Sequence, residues 1–159
     1  MPLLRLIQLS DNQQIATVIR SVLIEHDVPK VGTAYADVSL DFMFETYSKP
    51  RSAYFVVEQN GKIIGGAGIN QLENEAESFC ELQKMYFLPE ARGLGLGQQM
   101  MVTCLEAAIS FGFKHCYLET MPNMFDAQNL YKKVGFTYIK EPMGSTGHTS
   151  CPVWMIKTL

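Results

Sequence analysis

Glu81 to Met101, ELQKMYFLPEARGLGLGQQMM, is the stretch on which the fold of this chain turns. It reads as a strand, one tight basic and glycine-rich turn, then a helix. Glu81 to Leu88 is β-compatible and largely apolar, and Pro89 closes the run because proline has no N–H to give to a ladder. Arg92-Gly93-Leu94-Gly95-Leu96-Gly97 follows, and Gln98 onward continues as a helix rich in Met, Leu and Ala. Glycines at such a junction let the backbone turn sharply and bring bare N–H groups up to a ligand. At a helix N-terminus those donors and the dipole favour an anion, and a guanidinium beside them suits phosphate oxygens bidentately. The stretch is a phosphate cradle.

The spacing narrows the ligand. It is not G-x-x-x-x-G-K-[ST], and the glycines at 93, 95 and 97 do not form G-x-G-x-x-G. A dinucleotide fold also opens with its glycine turn, whereas this one comes late in the chain. What the residues match is R-x-x-G-x-G, at Arg92, Gly95 and Gly97. A second segment, Ala127-Gln128-Asn129-Leu130-Tyr131-Lys132-Lys133-Val134-Gly135-Phe136, has the form A-x-x-L-Y-x-K-x-G-F. With these two motifs in this order, the chain strongly resembles the GNAT superfamily of N-acetyltransferases.

Outward from the motifs, 159 residues suit one domain with a real core, and no repeat or linker marks a boundary within 1–159. Hydrophobic content of 47% and charged content of 18% fit a soluble globular protein. A net charge of −3, with no basic run, argues against nucleic acid as partner. The N-terminal apolar stretch is too short for a signal peptide and no run is long enough to span a membrane. Cys80, Cys104, Cys116 and Cys151 are scattered, which reads as reduced thiols in a cytoplasmic protein. No His, Cys or carboxylate spacing indicates a metal.

Leu3 to Leu9 reads as a strand, and Ser10 or Asp11 as the cap of a helix reaching about His26 with Ile15, Val18, Ile19, Val22 and Leu23 on its apolar face. After a loop, a second helix runs to roughly Tyr47. Ser52 to Glu58 and Lys62 to Gln71 form a hairpin about Asn60-Gly61, and Gly65, Gly66 and Gly68 suggest a bulge or a close contact. Beyond the central helix come a strand at Phe113 to Met121, a helix at Met124 to Val134 with Gly135 as its left-handed cap, and strands at Phe136 to Lys140 and Pro152 to Lys157. This order gives an α/β fold, one mixed sheet with helices on both faces. The resemblance refines it to about seven mostly antiparallel strands, splayed at the central pair, and about four helices.

The resemblance also implies the chemistry: acetyl transfer from acetyl-CoA to a primary amine by direct attack in a ternary complex. It places Arg92, Gly93, Leu94, Gly95, Leu96, Gly97 and Gln98 on the pyrophosphate, and Met85, Tyr86 and Phe87 along the acetyl and pantetheine arm. The Phe87 N–H then polarises the thioester carbonyl. Tyr131 is the general acid toward the departing sulfur, although a phenol near ~10 is a weaker acid than a thiol near ~8.5. Glu81 is the candidate base, because an amine near pKa ~10 must be delivered neutral. Many relatives carry Asn where this chain has Met124, and Asn129 is the candidate substitute. Tyr35, Glu119 and His148 are candidate acceptor contacts, with Glu119 and His148 as second bases. No cysteine lies within the motifs, which disfavours a covalent intermediate, and a homodimer is common among relatives. Two alternatives remain at this point: a catalytically silent acyl-CoA-binding or regulatory module, and a dinucleotide-binding oxidoreductase.

Overall fold

The computed structural model describes residues 1–159. Its elements are β1 (Leu3–Leu6), α1 (Asn12–Glu25), α2 (Met43–Thr46), β2 (Ala53–Gln59), β3 (Lys62–Gln71), β4 (Phe79–Phe87), α3 (Leu96–Ser110), β5 (His115–Thr120), α4 (Phe125–Lys133), β6 (Thr137–Ile139) and β7 (Val153–Thr158). The strands form one sheet in the order β1-β2-β3-β4-β5-β7-β6. Every pairing is antiparallel except β4 with β5. The C-terminal strand is therefore internal, and β1 and β6 are the edges.

Two cores flank the sheet, as period-two strands with helices on both faces require. Ile15, Ile19 and Leu23 of α1 pack with Met43 of α2, Tyr54 and Val56 on one face. Met100, Met101 and Cys104 of α3 pack with Tyr131 of α4, Val57, Ile64 and Ile69 on the other.

Three local departures from the sequence reading have tertiary causes. β1 stops at Leu6, and Asp11 does not cap α1. Its carboxylate instead accepts the Gln8 N–H at 2.7 Å and the Arg5 guanidinium at 2.7 and 3.0 Å. The second helix is broken into a 3-10 turn, Val38–Asp41, and the single turn of α2. Residues of α1 fix that break: Arg20 grips Asp41 at 2.7 and 3.1 Å, and Asn12 Oδ1 accepts the Phe44 N–H at 2.8 Å. Thirdly, besides the bulge in β3, where Val57 pairs with Gly65 but Glu58 with Ile63, a second bulge inserts an extra residue into β4.

That bulge positions the site. Gly66 pairs with Tyr86 but Gly68 with Gln83, so β4 takes one more residue than β3 over this interval, and Lys84 adopts a φ of 50°. A Cβ on Gly66 or Gly68 would lie 2.6 Å from the Tyr54 ring, so these glycines make room for it. The Tyr54 hydroxyl then donates to the Lys84 carbonyl at 2.7 Å and pins the bulge. On the other side, β4 pairs with β5 only as far as Glu81 with Tyr117. Beyond that point the two parallel strands part, and the sheet opens.

Candidate active site

The end of β4 runs through a Pro89–Ala91 3-10 turn into Arg92 and the glycines, and α3 starts at Leu96. Gly93 and Gly95 have φ of 74° and 76°, and a Cβ on either would meet nothing within 4 Å. They are glycines for conformation, not for space. No side chain caps α3 and its first turn holds no acid, which leaves its leading N–H groups for a ligand. A cleft of about 700 Å³ runs from Gly93, Gly95, Leu96, Gly97 and Gln98 along Met85, Tyr86 and Phe87, and it is walled by α4.

The backbone of β4 offers its free edge to this cleft. The Leu88 N–H bonds to Ile64 O at 2.8 Å, and antiparallel alternation then turns the N–H and C=O of Phe87 away from β3. The Phe87 carbonyl is met by Arg92 at 2.9 and 3.2 Å. The guanidinium's other contacts are with Glu25 at 2.6 and 2.8 Å, so the fork expected for phosphate is engaged by a carboxylate of α1.

A second, smaller cavity of about 60 Å³ lies past the split and is lined by Glu81, Gln83, Lys84, Glu119, His148 and Cys151. Met85, Tyr86, Met124, Ala127 and Tyr131 border both spaces. Tyr131 is brought there by helical spacing: Ala127, Leu130, Tyr131 and Val134 form the inward face of α4. The helix is ended by Gly135 at φ 105°, with the Gly135 N–H on Lys132 O and the Phe136 N–H on Tyr131 O. A long cleft with the glycine turn at its mouth thus meets a small pocket of charged side chains beside the buried Tyr131.

The family described as Acetyltransferase (GNAT) matches residues 20–136 of the chain. The protein belongs to the GNAT family. It is 43% identical to YjgM of Escherichia coli (strain K12), an uncharacterized N-acetyltransferase, over 99% of this chain and 95% of that one. The IAA acetyltransferase of Azospirillum brasilense is 27% identical over 72% of this chain and 73% of its own. Among solved structures, a GNAT-family acetyltransferase from Staphylococcus aureus Mu50 superposes with a TM-score of 0.88 at 18% identity, covering 99% of each chain. A GNAT phosphinothricin acetyltransferase from Sinorhizobium meliloti, in complex with AcCoA, gives 0.76 at 21% identity, covering 99% of this chain and 88% of that one.

Within this GNAT domain the titratable groups are unequal. Glu81 is 6% exposed, and burial pushes its carboxyl up to about 7, against a hydrogen bond from Gln83 at 2.6 Å and with help from the Glu119 charge. Glu119 accepts hydroxyls from Tyr117 at 2.6 Å and Thr146 at 2.5 Å. Burial raises the Tyr131 phenol above its ordinary value. Burial, then the charges of Glu119, Glu81 and Asp37, pushes the Cys151 thiol up to about 12. Cys80, though next to Glu81 in sequence, is fully buried in the α3-side core. The raised Cys151 thiol is not an activated nucleophile, and Cys80 lines neither cavity.

The remaining residues singled out from sequence divide cleanly. Glu81, Glu119 and His148 meet in the small pocket, and His148 is bonded through Nε2 to Asp37 Oδ2 at 2.8 Å. Asn129 is exposed and outside the linings of both cavities, so it does not take the place of the missing Asn. Met124 borders both, and Asn123 reaches the cleft while its amide donates to His26 O at 2.7 Å. Leu94 is exposed and lies outside the cleft lining. Tyr35 also stays out of the pocket, with Lys30 and Arg20 at 5.1 and 5.8 Å from its ring; its neighbours Thr33 and Ala34 line the pocket instead. Gln83 and Lys84 escaped the sequence reading: Gln83 shares the face of Glu81 by strand alternation, and Lys84 lies in the bulge.

Proposed function

We propose that this GNAT domain moves the acetyl group of acetyl-CoA to a primary amine of a small molecule or peptide by direct attack in a ternary complex. The carrying observation is the junction at Tyr131 of a cleft opening on the glycine turn with a carboxylate-lined pocket. The glycine turn, the leading N–H groups of α3 and Arg92 hold the pyrophosphate, with the guanidinium exchanging Glu25 for phosphate oxygens. Met85, Tyr86 and Phe87 line the thioester arm. Glu81, with a carboxyl near 7, takes the proton of the attacking amine. The Phe87 N–H receives the charge that develops on the carbonyl oxygen. As the C–S bond breaks, the Tyr131 hydroxyl bonds to the sulfur. Burial makes that phenol a still weaker acid, so a tightening hydrogen bond precedes any proton transfer. The raised Cys151 and the remote Cys80 favour this direct route over an acyl-cysteine.

The test is calorimetric titration with acetyl-CoA, then thiol release with an amine panel. Acetyl-CoA binds, Arg92→Ala weakens binding at least about tenfold, and Tyr131→Phe lowers kcat more than it changes binding. Binding without thiol release for any amine, unaffected by Tyr131→Phe, identifies a silent acyl-CoA module. NADH binding with no response to acetyl-CoA refutes the transferase reading. Cytoplasmic residence belongs to the same reading, and no helix is long and apolar enough to cross a membrane. A homodimer built by strand pairing would use β1 or β6, the two sheet edges.

A further inference from the structure

The small pocket contains a cation that acetyl transfer by itself does not use. Lys84 sits in the β4 bulge at a φ of 50°, a region that non-glycine residues occupy at a cost. Its side chain is 7% exposed yet lines the pocket with Glu81 and Glu119. The ammonium has one partner, Asp37 Oδ2 at 3.2 Å, and the same oxygen is met by His148 Nε2 at 2.8 Å. An ammonium carries three donors, so part of this one remains open toward the pocket.

The carboxylates there are differently committed. Both oxygens of Glu119 accept hydroxyls, and Asp37 is shared between two basic side chains. Burial would raise the Asp37 carboxyl, but the His148 hydrogen bond and the Lys84 charge outweigh it and hold it below its ordinary value. Asp37 therefore stays charged and keeps Lys84 in place. Glu81 has one oxygen on Gln83 and the other free. The pocket so presents an open carboxylate oxygen and an incompletely used ammonium.

We propose that the acceptor is a small amine that also bears a carboxylate, an amino acid in the broad sense, whose amino group meets Glu81 and whose carboxylate meets Lys84. This rests on the acetyltransfer reading and deepens it by naming the substrate class. The volume of about 60 Å³ favours a short chain. A plain alkylamine leaves the Lys84 donors unfilled as water is displaced, and a site built to fill them discriminates against it.

The experiment measures thiol release from acetyl-CoA with alanine, β-alanine and ethylamine, the last being the decarboxylated counterpart of both amino acids. Wild type, Lys84→Met and Lys84→Arg are compared. The wild type favours one of the amino acids over ethylamine in kcat/KM by at least about tenfold. Lys84→Met collapses that ratio toward one, and Lys84→Arg, which keeps the charge, restores most of it. Equal use of all three acceptors by the wild type, or a preference that survives Lys84→Met, overturns the inference and leaves acetyl transfer standing. Turnover of none of the three by a protein that binds acetyl-CoA also overturns it. Failure to bind acetyl-CoA removes the transferase reading underneath.

Discussion

At Glu81 a chain of two hydrogen bonds decides how a buried acid behaves. The Tyr47 hydroxyl donates to Gln83 Oε1 at 2.6 Å, which turns the Gln83 amide so that its NH₂ donates to Glu81 Oε1 at 2.6 Å. That donor favours the charged carboxylate and offsets part of the burial that pushes Glu81 up to about 7. The other charges felt by Glu81 are those of Glu119 on β5, His148 in the loop before β7, and Lys84 on its own strand. Activity should therefore rise with pH through about 7, as Glu81 loses its proton and becomes a base. Gln83→Leu removes the donor and moves this acid limb of kcat/KM to higher pH, and Tyr47→Phe moves it the same way by less. Glu81→Gln lowers kcat/KM by roughly 10²- to 10⁴-fold and abolishes the limb. A pH–rate profile of the four proteins checks the assignment; an unmoved limb in Gln83→Leu removes Glu81 from the role of base.

At the level of elements, the junction into α3 and the end of α4 depend on backbone conformations that a side chain resists. Gly95 at φ 76° has open space around a would-be Cβ, so Gly95→Ala carries only the conformational penalty, about 1–2 kcal/mol. Relief of that strain rotates the leading N–H groups of α3, so acetyl-CoA affinity falls while urea denaturation shows only this modest loss. At Gly135, φ 105°, the balance is reversed. Gly135→Ala strains the cap and brings its Cβ to 2.8 Å from Lys157 Nζ, which is the far end of a flexible chain and can yield. The cost is again about 1–2 kcal/mol, but it is read as lost stability with little change in acetyl-CoA binding. Equal effects of both variants on binding would show that the two glycines do not have separate jobs.

Across the whole molecule, the acid that serves chemistry weakens the fold. Glu81 has its carboxyl raised from 4.5 to about 7, so the folded state holds this proton more tightly than the unfolded chain. The stability that comes from burying the neutral acid is fully present below pH 4.5 and is lost as pH rises through about 7. A rise of that size corresponds to about 3 kcal/mol. Glu81→Gln is neutral at every pH and keeps the native amide-sized packing. It should therefore be more stable than wild type at pH 8.5 and nearly equal at pH 4.5, with urea unfolding at the two values as the check. A constant difference between them would mean that Glu81 is not buried as a titrating acid.

Much of this was legible from local chemistry. Arg92 to Gly97 announced the turn into α3, because positive-φ turns favour glycine. Ile15, Val18, Ile19, Val22 and Leu23 showed the buried face of α1 because helical periodicity is local, and all five are buried. Tyr131 was legible from the same periodicity together with its motif. What the sequence could not contain is the partner of each group. Asp11 looks like a cap until Arg5 is folded against it, and the second helix looks continuous until Arg20 and Asn12 break it. Lys84 looks like an ordinary strand residue until a bulge in β4, pinned by the Tyr54 hydroxyl from a neighbouring strand, brings it to the pocket. Sequence by itself determined the family, most of the elements and the glycine turn into α3, since those follow from spacing along one segment. Tertiary structure alone decided the acid's proton affinity and the pocket's charge, since burial and Coulomb interactions depend on distances between segments that the chain order does not encode.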